Sequence, residues 1–357
     1  MARRKDQPAD GPADNLSVHE LIDGPTQEIP EYTPAVEATQ DLSTHDLSLG
    51  ATQDLSGLDP TSGTAPTAPA GAGTGGRVLI ELPRMPAGGA LYRRALLGAL
   101  PVQGGRRSDT VPEVELTVTG VTVDRAHLAD YDRVCGFRLA DRLPATYPHV
   151  MGFPLALRLM TAPEFPIPLA GVVHVGNRIT VHRPIDAAET IDFTAYAENL
   201  RPHDRGRQLD VVLVGSVAGE EAWRGVSTYL GKERKPGGGG RREQGERPPA
   251  PAGSARWRVE PRVGRDYARV SGDHNPIHTS RLGARLLGFP RPIAHGMWSK
   301  ARCLAALENR LPDAYTVEVG FKLPVPLPST VSFSVLPAGG FALHDLRGRP
   351  HLAGAVR

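Results

Sequence analysis

Short stretches that alternate apolar and polar residues, or that favour strands by composition, recur from residue 77 onwards. They predict strands at 78–82, 113–123, 171–181, 190–197, 210–217, 223–230, 257–261, 315–324, 330–336, 341–346 and 351–356. Longer apolar patterns predict a short helix at 89–100 and a helix that Asp124 caps and that leads into Tyr131. A third, mostly buried helix is predicted from about Gly296 to Leu311. Together these elements predict an α+β fold.

The sequence S-G-D-H-N-P-I-H contains side chains suited to proton transfer. Asn275 followed by Pro276 predicts the start of a helix, because Asn is a favoured N-cap and Pro is tolerated at the first helical position. Asp273 then lies just before this helix, after a tight turn that Gly272 allows, and His278 lies in its first turn. A carboxylate and an imidazole that share one water molecule form an acid–base pair near neutral pH.

A second turn, at 292–296, precedes the predicted buried helix. The first N–H groups of a helix have no partner inside the helix, so they suit a developing negative charge on oxygen. Gly296 has no side chain to block that approach. Chemistry at the α and β carbons of a thioester requires a base that moves a proton and a donor that stabilises the enolate-like oxygen. An Asp/His pair beside such an oxyanion hole supplies both.

The pattern Y-A-x-x-S-G-D-x-N-P-I-H, followed by P-I-x-H-G-M, resembles the hydratase-2 signature of the MaoC-like dehydratases. The resemblance implies a hotdog fold and reversible syn addition of water to trans-2-enoyl thioesters, with (R)-3-hydroxyacyl products. It implies that Asp273 and His278 activate water, that Asn275 orients the Asp or the turn, and that Gly296 donates to the thioester oxygen. Apolar residues nearby are expected to line the acyl tunnel, with ordinary core packing as the alternative, namely Phe289, Ile293 and Met297.

A degraded copy of the same motif begins at Tyr131. Y-D-R-V-C-G-F aligns with Y-A-R-V-S-G-D, which places Phe137 opposite Asp273, and Arg142 falls opposite His278. P-H-V-M-G-F at 148–153 aligns with the second turn. This layout resembles the actinobacterial (3R)-hydroxyacyl-thioester dehydratases, whose two hotdogs are fused, and it implies a double hotdog with a degenerate first half. We expect that the lost first site leaves room for a longer acyl chain.

Composition divides the chain into four parts. Residues 1–76 are predicted to be a disordered tail, because three basic and twelve acidic residues precede Gly71 and apolar residues are few. Its repeated A-T-Q-D-L-S motif is a docking motif or simply low complexity. The degenerate hotdog is predicted at 77–231, a Gly/Pro-rich charged linker at 232–254 and the catalytic hotdog at 255–357. The G-x-G-x-x-G at 71–76 precedes a strand instead of following one, so we interpret it as a hinge.

The sequence leaves two alternative functions open beside the dehydratase. One is a hotdog thioesterase, although its carboxylate is not expected in this Asp-x-Asn-Pro-x-His order. The other is an acyl-thioester-binding protein without activity, for which the acidic tail would serve as an interaction arm. Fold resemblance by itself does not distinguish these functions.

The remaining expectations concern partners and location. No metal and no cofactor is expected, and coenzyme A or an acyl carrier protein would carry the substrate as a thioester. Basic residues that could meet the carrier's phosphates, or form a solvated basic face, are Arg281, Arg285, Arg291 and Lys300. No nucleic acid and no membrane is expected as a partner, whereas a homodimer of double hotdogs is. Two cysteines, no apolar leader and no long apolar run predict a cytoplasmic protein.

Overall fold

The computed structural model describes residues 76–88, 91, 108–169, 172–232 and 250–357. Apart from residue 91, the helix predicted at 89–100 lies outside these ranges, as do the predicted tail apart from Gly76 and most of the predicted linker. Among the described residues, no helix has both the length and the apolar character needed to cross a membrane.

Within the described ranges, seventeen helices and strands fall into two sequential groups. The first group contains β1 (Val78–Glu81), β2 (Val114–Val121), α1 (Arg125–Cys135), α2 (Tyr147–Met160), β3 (Val173–Val181), β4 (Ile191–His203), β5 (Gly206–Val217) and β6 (Glu220–Lys232). The second group contains β7 (Ala255–Val259), α3 (Val263–Ser271), α4 (Pro276–Thr279), α5 (Arg281–Leu286), α6 (Gly296–Leu307), β8 (Tyr315–Phe321), β9 (Ser329–Val335), β10 (Gly340–Asp345) and β11 (Pro350–Val356). A 3₁₀ turn, Glu308–Arg310, extends α6.

The eleven strands of the part of the chain that the structure describes join one sheet in the order β1-β2-β4-β5-β6-β3-β8-β11-β10-β9-β7. Only the β1–β2 pair is parallel, and the others are antiparallel. β3 and β8 pair with each other from Gly176 opposite Gly320 to Val181 opposite Tyr315. This β3–β8 pair is the seam between the two groups.

Both sides of the seam have the same topology. From the seam outwards the strands run β3, β6, β5, β4, β2 on one side and β8, β11, β10, β9, β7 on the other. In chain order each side contributes an outer strand, β2 or β7, then helices, then four strands, of which the first lies at the seam. The first side has β1 as an additional edge strand. The α+β double hotdog and the internal duplication predicted from sequence are therefore confirmed.

Helices of both groups pack into a single hydrophobic core with the sheet. Tyr131 of α1 and Tyr267 of α3 occupy equivalent positions and their rings lie 6.3 Å apart. The indole nitrogen of Trp298 donates to the Val134 carbonyl at 3.1 Å, which fixes α6 against α1. The halves are thus joined through helices as well as through the seam.

Local signals set the ends of several elements as predicted. The Asp124 carboxylate accepts from the N–H groups of Ala126 and His127 at 2.9 and 3.2 Å, and so caps α1. All predicted strands are present with ends shifted by up to six residues, the largest shift being at the end of β4. α3 is a helix that sequence reasoning missed. Residues 250–254 of the predicted linker contact β9, where Ser254 N–H donates to the Phe333 carbonyl at 2.7 Å.

Lys300 contradicts its predicted role in phosphate binding. It lies on α6, is fully buried, and directs Nζ at the seam. Nζ is 2.6 Å from Asn177 Oδ1 and 3.2 Å from the carbonyl oxygens of Asn177 and Val317. Burial lowers the pKa of Lys300 well below its ordinary value, while three oxygens match the three N–H donors of an ammonium group. The phosphate prediction was wrong because the side chain points into the protein.

Candidate active site

Asp273 is positioned by the end of α3. Gly272 follows α3 with φ +70, a left-handed conformation that costs glycine little and that turns the chain sharply, as predicted. Asp273 N–H donates to Ser271 Oγ at 3.2 Å, and Asp273 Oδ1 accepts from Asn275 N–H at 3.2 Å. The carboxylate is therefore held beside the helix that follows, and its side chain keeps 28% of its exposure.

Asn275 builds the start of the short helix α4. Its Oδ1 accepts from Ile277 N–H at 3.2 Å, so it is the N-cap, and Pro276 occupies the first helical position. This confirms the predicted N-cap, while the role of Asn275 in orienting the Asp or the turn stays a prediction. His278 consequently projects from the first turn of α4 with little exposure to solvent.

The protonation pattern of His278 follows from its hydrogen bond to the second turn. Its Nδ1 lies 2.8 Å from the Ile293 carbonyl oxygen, which can only accept, so Nδ1 carries the hydrogen. In the neutral ring Nε2 is then a free base. Burial lowers the pKa of His278 below its ordinary value, although the Asp273 carboxylate acts in the opposite direction. The ring is therefore a neutral base at physiological pH.

Asp273, His278 and His295 converge on one small volume. A carboxylate oxygen and one nitrogen of each ring lie within 4.8 Å of one another. Two hydrogen bonds of about 2.8 Å that meet at one water oxygen span roughly 4.5 Å. The separation therefore suits a water molecule held jointly by Asp273 and His278.

The ring of His295 stabilises this arrangement through a hydrogen bond to the Asp273 backbone and through stacking on His278. Its Nε2 donates to the Asp273 carbonyl oxygen at 3.0 Å, and its ring stacks on His278 with centroids 3.7 Å apart. Burial, followed by the neighbouring His278, lowers the pKa of His295 to about 3. The neutral ring thus leaves Nδ1 as a buried atom without a partner among the described residues.

Gly296 begins α6 and offers its N–H to the pocket. Within the described residues no acceptor pairs with this N–H. A Cβ at this position would lie 3.1 Å from the ring of Phe321, so a larger residue would press on that ring. The free N–H at a helix N-terminus can stabilise an oxyanion.

The same three side chains are also a donor set that transition metals accept. Their geometry is unfavourable for that role. The rings of His278 and His295 stack face to face, whereas imidazoles bind a metal along their ring planes. The arrangement fits a water molecule better than a metal ion.

The equivalent positions of the first half do not form an acid–base pair. Phe137 is buried and stacks on Tyr131 at 6.3 Å, while Arg142 forms an ion pair with Asp313 at the surface. The helix geometry also differs. α2 begins at Tyr147, five residues before Gly152, so the Gly152 N–H lies inside the helix instead of at its end. The first half has therefore lost both the side chains and the oxyanion donor.

The three residues predicted to line the acyl tunnel have different surroundings. Met297 belongs to the hydrophobic core and Phe289 is half-buried. Ile293 is buried, and its backbone supplies the acceptor for His278. A tunnel role for these three residues stays a prediction.

Two histidines of the first half, the buried His149 and the half-buried His174, lie beside the site and were missed from sequence. The His174 ring lies 5.0 Å from Phe321 and 6.5 Å from His149. Burial lowers the pKa of His149 to about 4 and that of His174 to about 3, and on both rings the Asp273 carboxylate acts in the opposite direction. The β3–β8 pairing places β3, and with it His174, beside the second half, and no local sequence pattern encodes that pairing.

The sequence is similar to a known protein family and to a dehydratase of Mycobacterium tuberculosis. A family model of the MaoC like domain matches residues 249–342. The 3-hydroxyacyl-thioester dehydratase X of Mycobacterium tuberculosis is 40% identical over 269 residues, which are 74% of this chain and 95% of that protein.

Solved structures agree with the sequence comparison. The crystal structure of HtdX from Mycobacterium tuberculosis is 39% identical with a TM-score of 0.61, covering 68% of this chain and 99% of that chain. A second MaoC-like dehydratase, 18% identical with a TM-score of 0.55, shares the fold over 70% of this chain and 98% of its own. The chain belongs to the MaoC-like dehydratases, a family of hydro-lyases with the hotdog fold.

Proposed function

We propose that the chain is an (R)-specific 3-hydroxyacyl-thioester dehydratase of fatty-acid or related acyl metabolism, which in reverse hydrates trans-2-enoyl thioesters. One observation carries the proposal: a carboxylate and a neutral imidazole lie within 4.8 Å of each other, beside the start of a helix with a free N–H. The name of the mycobacterial relative, a 3-hydroxyacyl-thioester dehydratase, supports the same reaction.

In the hydration direction, Asp273 and His278 hold the water and His278 Nε2 takes one of its protons. The water oxygen bonds to Cβ, and the electron pair of the C=C bond moves towards the thioester carbonyl. A proton then returns from the pair to Cα on the same face, which regenerates the neutral imidazole. The net change is addition of one water across the double bond, and dehydration is its reverse.

We assign to the Gly296 N–H the stabilisation of the negative charge that develops on the thioester oxygen. Donors fixed in place before the reaction stabilise such charge without reorganisation. Asn275 links the Asp273 turn to the first turn of α4, because its N–H donates to Asp273 Oδ1 and its Oδ1 accepts from Ile277 N–H.

Several finer features of this function stay predictions. They are the length of the acyl chain, a carrier that is either coenzyme A or an acyl carrier protein, and a homodimeric state. A cytoplasmic location also stays a prediction, which two buried free cysteines suit.

Replacing either member of the pair removes the shared water site. We expect Asp273→Asn and His278→Ala each to lower kcat/KM for hydration of trans-2-enoyl-CoA by about 10²–10⁴-fold, the usual contribution of a positioned acid or base. The assay follows loss of the conjugated thioester absorbance, and circular dichroism checks folding. Release of free thiol by the wild type would instead indicate a thioesterase, and activity that survives in both variants would contradict the pair's role.

Gly296→Ala tests the oxyanion donor. The new methyl group meets Phe321 at about 3.1 Å and displaces the helix start, so we expect kcat to fall by about 10²-fold or more. The double variant Gly296→Ala/Phe321→Leu relieves the contact and should recover part of the activity. Full activity in the single variant, which keeps the N–H at position 296, would show that the helix start tolerates the methyl group and would contradict the expected displacement.

The pH dependence tests the protonation state of His278. Burial lowers its pKa, so the neutral base persists on acidification and is lost only as pH falls through that lowered value. We expect kcat/KM for hydration to stay level through neutral pH and to decline only below about 6.5, the ordinary pKa of histidine. An inflection of the pH profile above that value would contradict a buried neutral base.

A further inference from the structure

We propose that the outer face of α5 and the turn after it form a docking surface for a small acidic carrier protein that presents the acyl group on a phosphopantetheine arm. The inference rests on the proposed function and specifies its carrier. The α5 surface consists of Arg281, Leu282, Arg285, Leu286, Leu287 and Arg291.

The apolar part of the α5 surface is unusually exposed. Leu282, Leu286 and Leu287 keep 69%, 65% and 41% of their accessible area. Among the described residues, eight large hydrophobic side chains are exposed, and three of these eight lie within residues 282–287. Leu282 and Leu286 are four residues apart and therefore lie side by side on the helix. A clustered apolar patch of this kind marks an interaction site more often than scattered leucines do.

The fold does not need these leucines, because the opposite face of α5 holds the helix in place. Ala284 is fully buried. Gly283 lies against Pro276, where an added Cβ would come within 2.5 Å of the proline ring. Ser280 Oγ accepts from Gly283 N–H at 3.1 Å and caps the helix. The leucines thus project from a helix that is already anchored.

The charge of the α5 surface selects an acidic partner. From residue 274 to residue 307 the sequence contains no Asp or Glu. Arg281 and Arg285 are exposed, lie side by side on α5, and form no ion pair among the described residues. Arg291 is also exposed, and its guanidinium donates to the Pro328 carbonyl at 3.1 Å. Arginines around an apolar centre are the composition of a protein interface.

The position of the α5 surface fits delivery of a substrate. Ser280 ends α4, which carries His278, and also caps α5, so the surface is fixed rigidly to the catalytic helix. Coenzyme A could meet the arginines through its phosphates, but its nucleotide gives no reason for three exposed leucines. An acidic carrier protein accounts for both the basic and the apolar part.

Steady-state kinetics on two forms of one substrate test the proposal. The full chain is assayed with trans-2-octenoyl-CoA and with trans-2-octenoyl attached to a bacterial fatty-acid acyl carrier protein. For Leu282→Ser/Leu286→Ser we expect the ratio of kcat/KM for the carrier substrate to kcat/KM for the coenzyme A substrate to fall about ten-fold or more, mainly through KM. Arg285→Glu should raise KM for the carrier substrate by a similar factor.

Two substitutions outside the α5 surface serve as matched controls. Leu139→Ser removes a leucine of almost equal exposure, 68%, from the first half, and Arg347→Glu reverses an exposed arginine in the β10–β11 turn. Neither should change the ratio. Wild-type activity on coenzyme A thioesters alone, or an equal loss on both substrates in the leucine variant, would overturn the docking surface and leave the proposed function standing. Inactivity of the wild type on both substrates would overturn the proposed function itself.

A second copy of the chain is the other occupant that the test must separate. Light scattering coupled to size exclusion measures the mass of the wild type and of Leu282→Ser/Leu286→Ser. Equal masses for the wild type and the variant support the carrier protein as the occupant of the α5 surface. Conversion of a dimer to a monomer in the variant would assign the α5 surface to an interface between copies and overturn the proposal.

Discussion

The hydrogen bond from His278 Nδ1 to the Ile293 carbonyl is the contact on which the site depends. At 2.8 Å it joins the helix after the first turn to the segment before α6, and it leaves Nε2 as the free base. Ile293 N–H also donates to the Ile277 carbonyl at 3.1 Å, so the two segments are bonded in both directions. His295 adds a third bond by donating to the Asp273 carbonyl. The proposed acid–base pair and the proposed oxyanion donor therefore belong to one rigid unit.

Duplication explains how such a unit can exist in one half only. Each half supplies the same strand order on its side of the seam, so either could carry a site. In the first half Phe137 contributes to the core and α2 starts early, which removes the helix end that a site requires. In the second half the helix starts at Gly296, and the proposed acid–base pair of Asp273 and His278 is present. The first half continues to contribute its packing, and it places His149 and His174 beside the active half.

Much of this could be predicted from sequence because the signals are local. Asn275 and Pro276 mark a helix start through the chemistry of the cap, and Gly272 marks a turn through its freedom at positive φ. The motif then places Asp273 and His278 within reach of each other, and the duplication follows from its degraded copy.

Other features depend on contacts between distant parts of the chain. Lys300 looks like a surface cation in sequence, but the β3–β8 seam supplies buried oxygens that satisfy its ammonium group. His174 shares no motif with the site and reaches it only through the pairing of strands. Helix α3 was missed because its residues were interpreted as part of a motif, although a helix is what directs Asp273 towards His278.

The most direct test of the central claim, that one water molecule held by Asp273 and His278 supplies both added groups, is hydration in D₂O. Nuclear magnetic resonance of the product determines the configuration at Cβ and the position of deuterium at Cα. A shared water predicts a single (3R)-hydroxyacyl product in which the hydroxyl and the deuterium have added to the same face. Anti addition, or a mixture of diastereomers, would contradict a single acid–base pair acting on one face of the substrate.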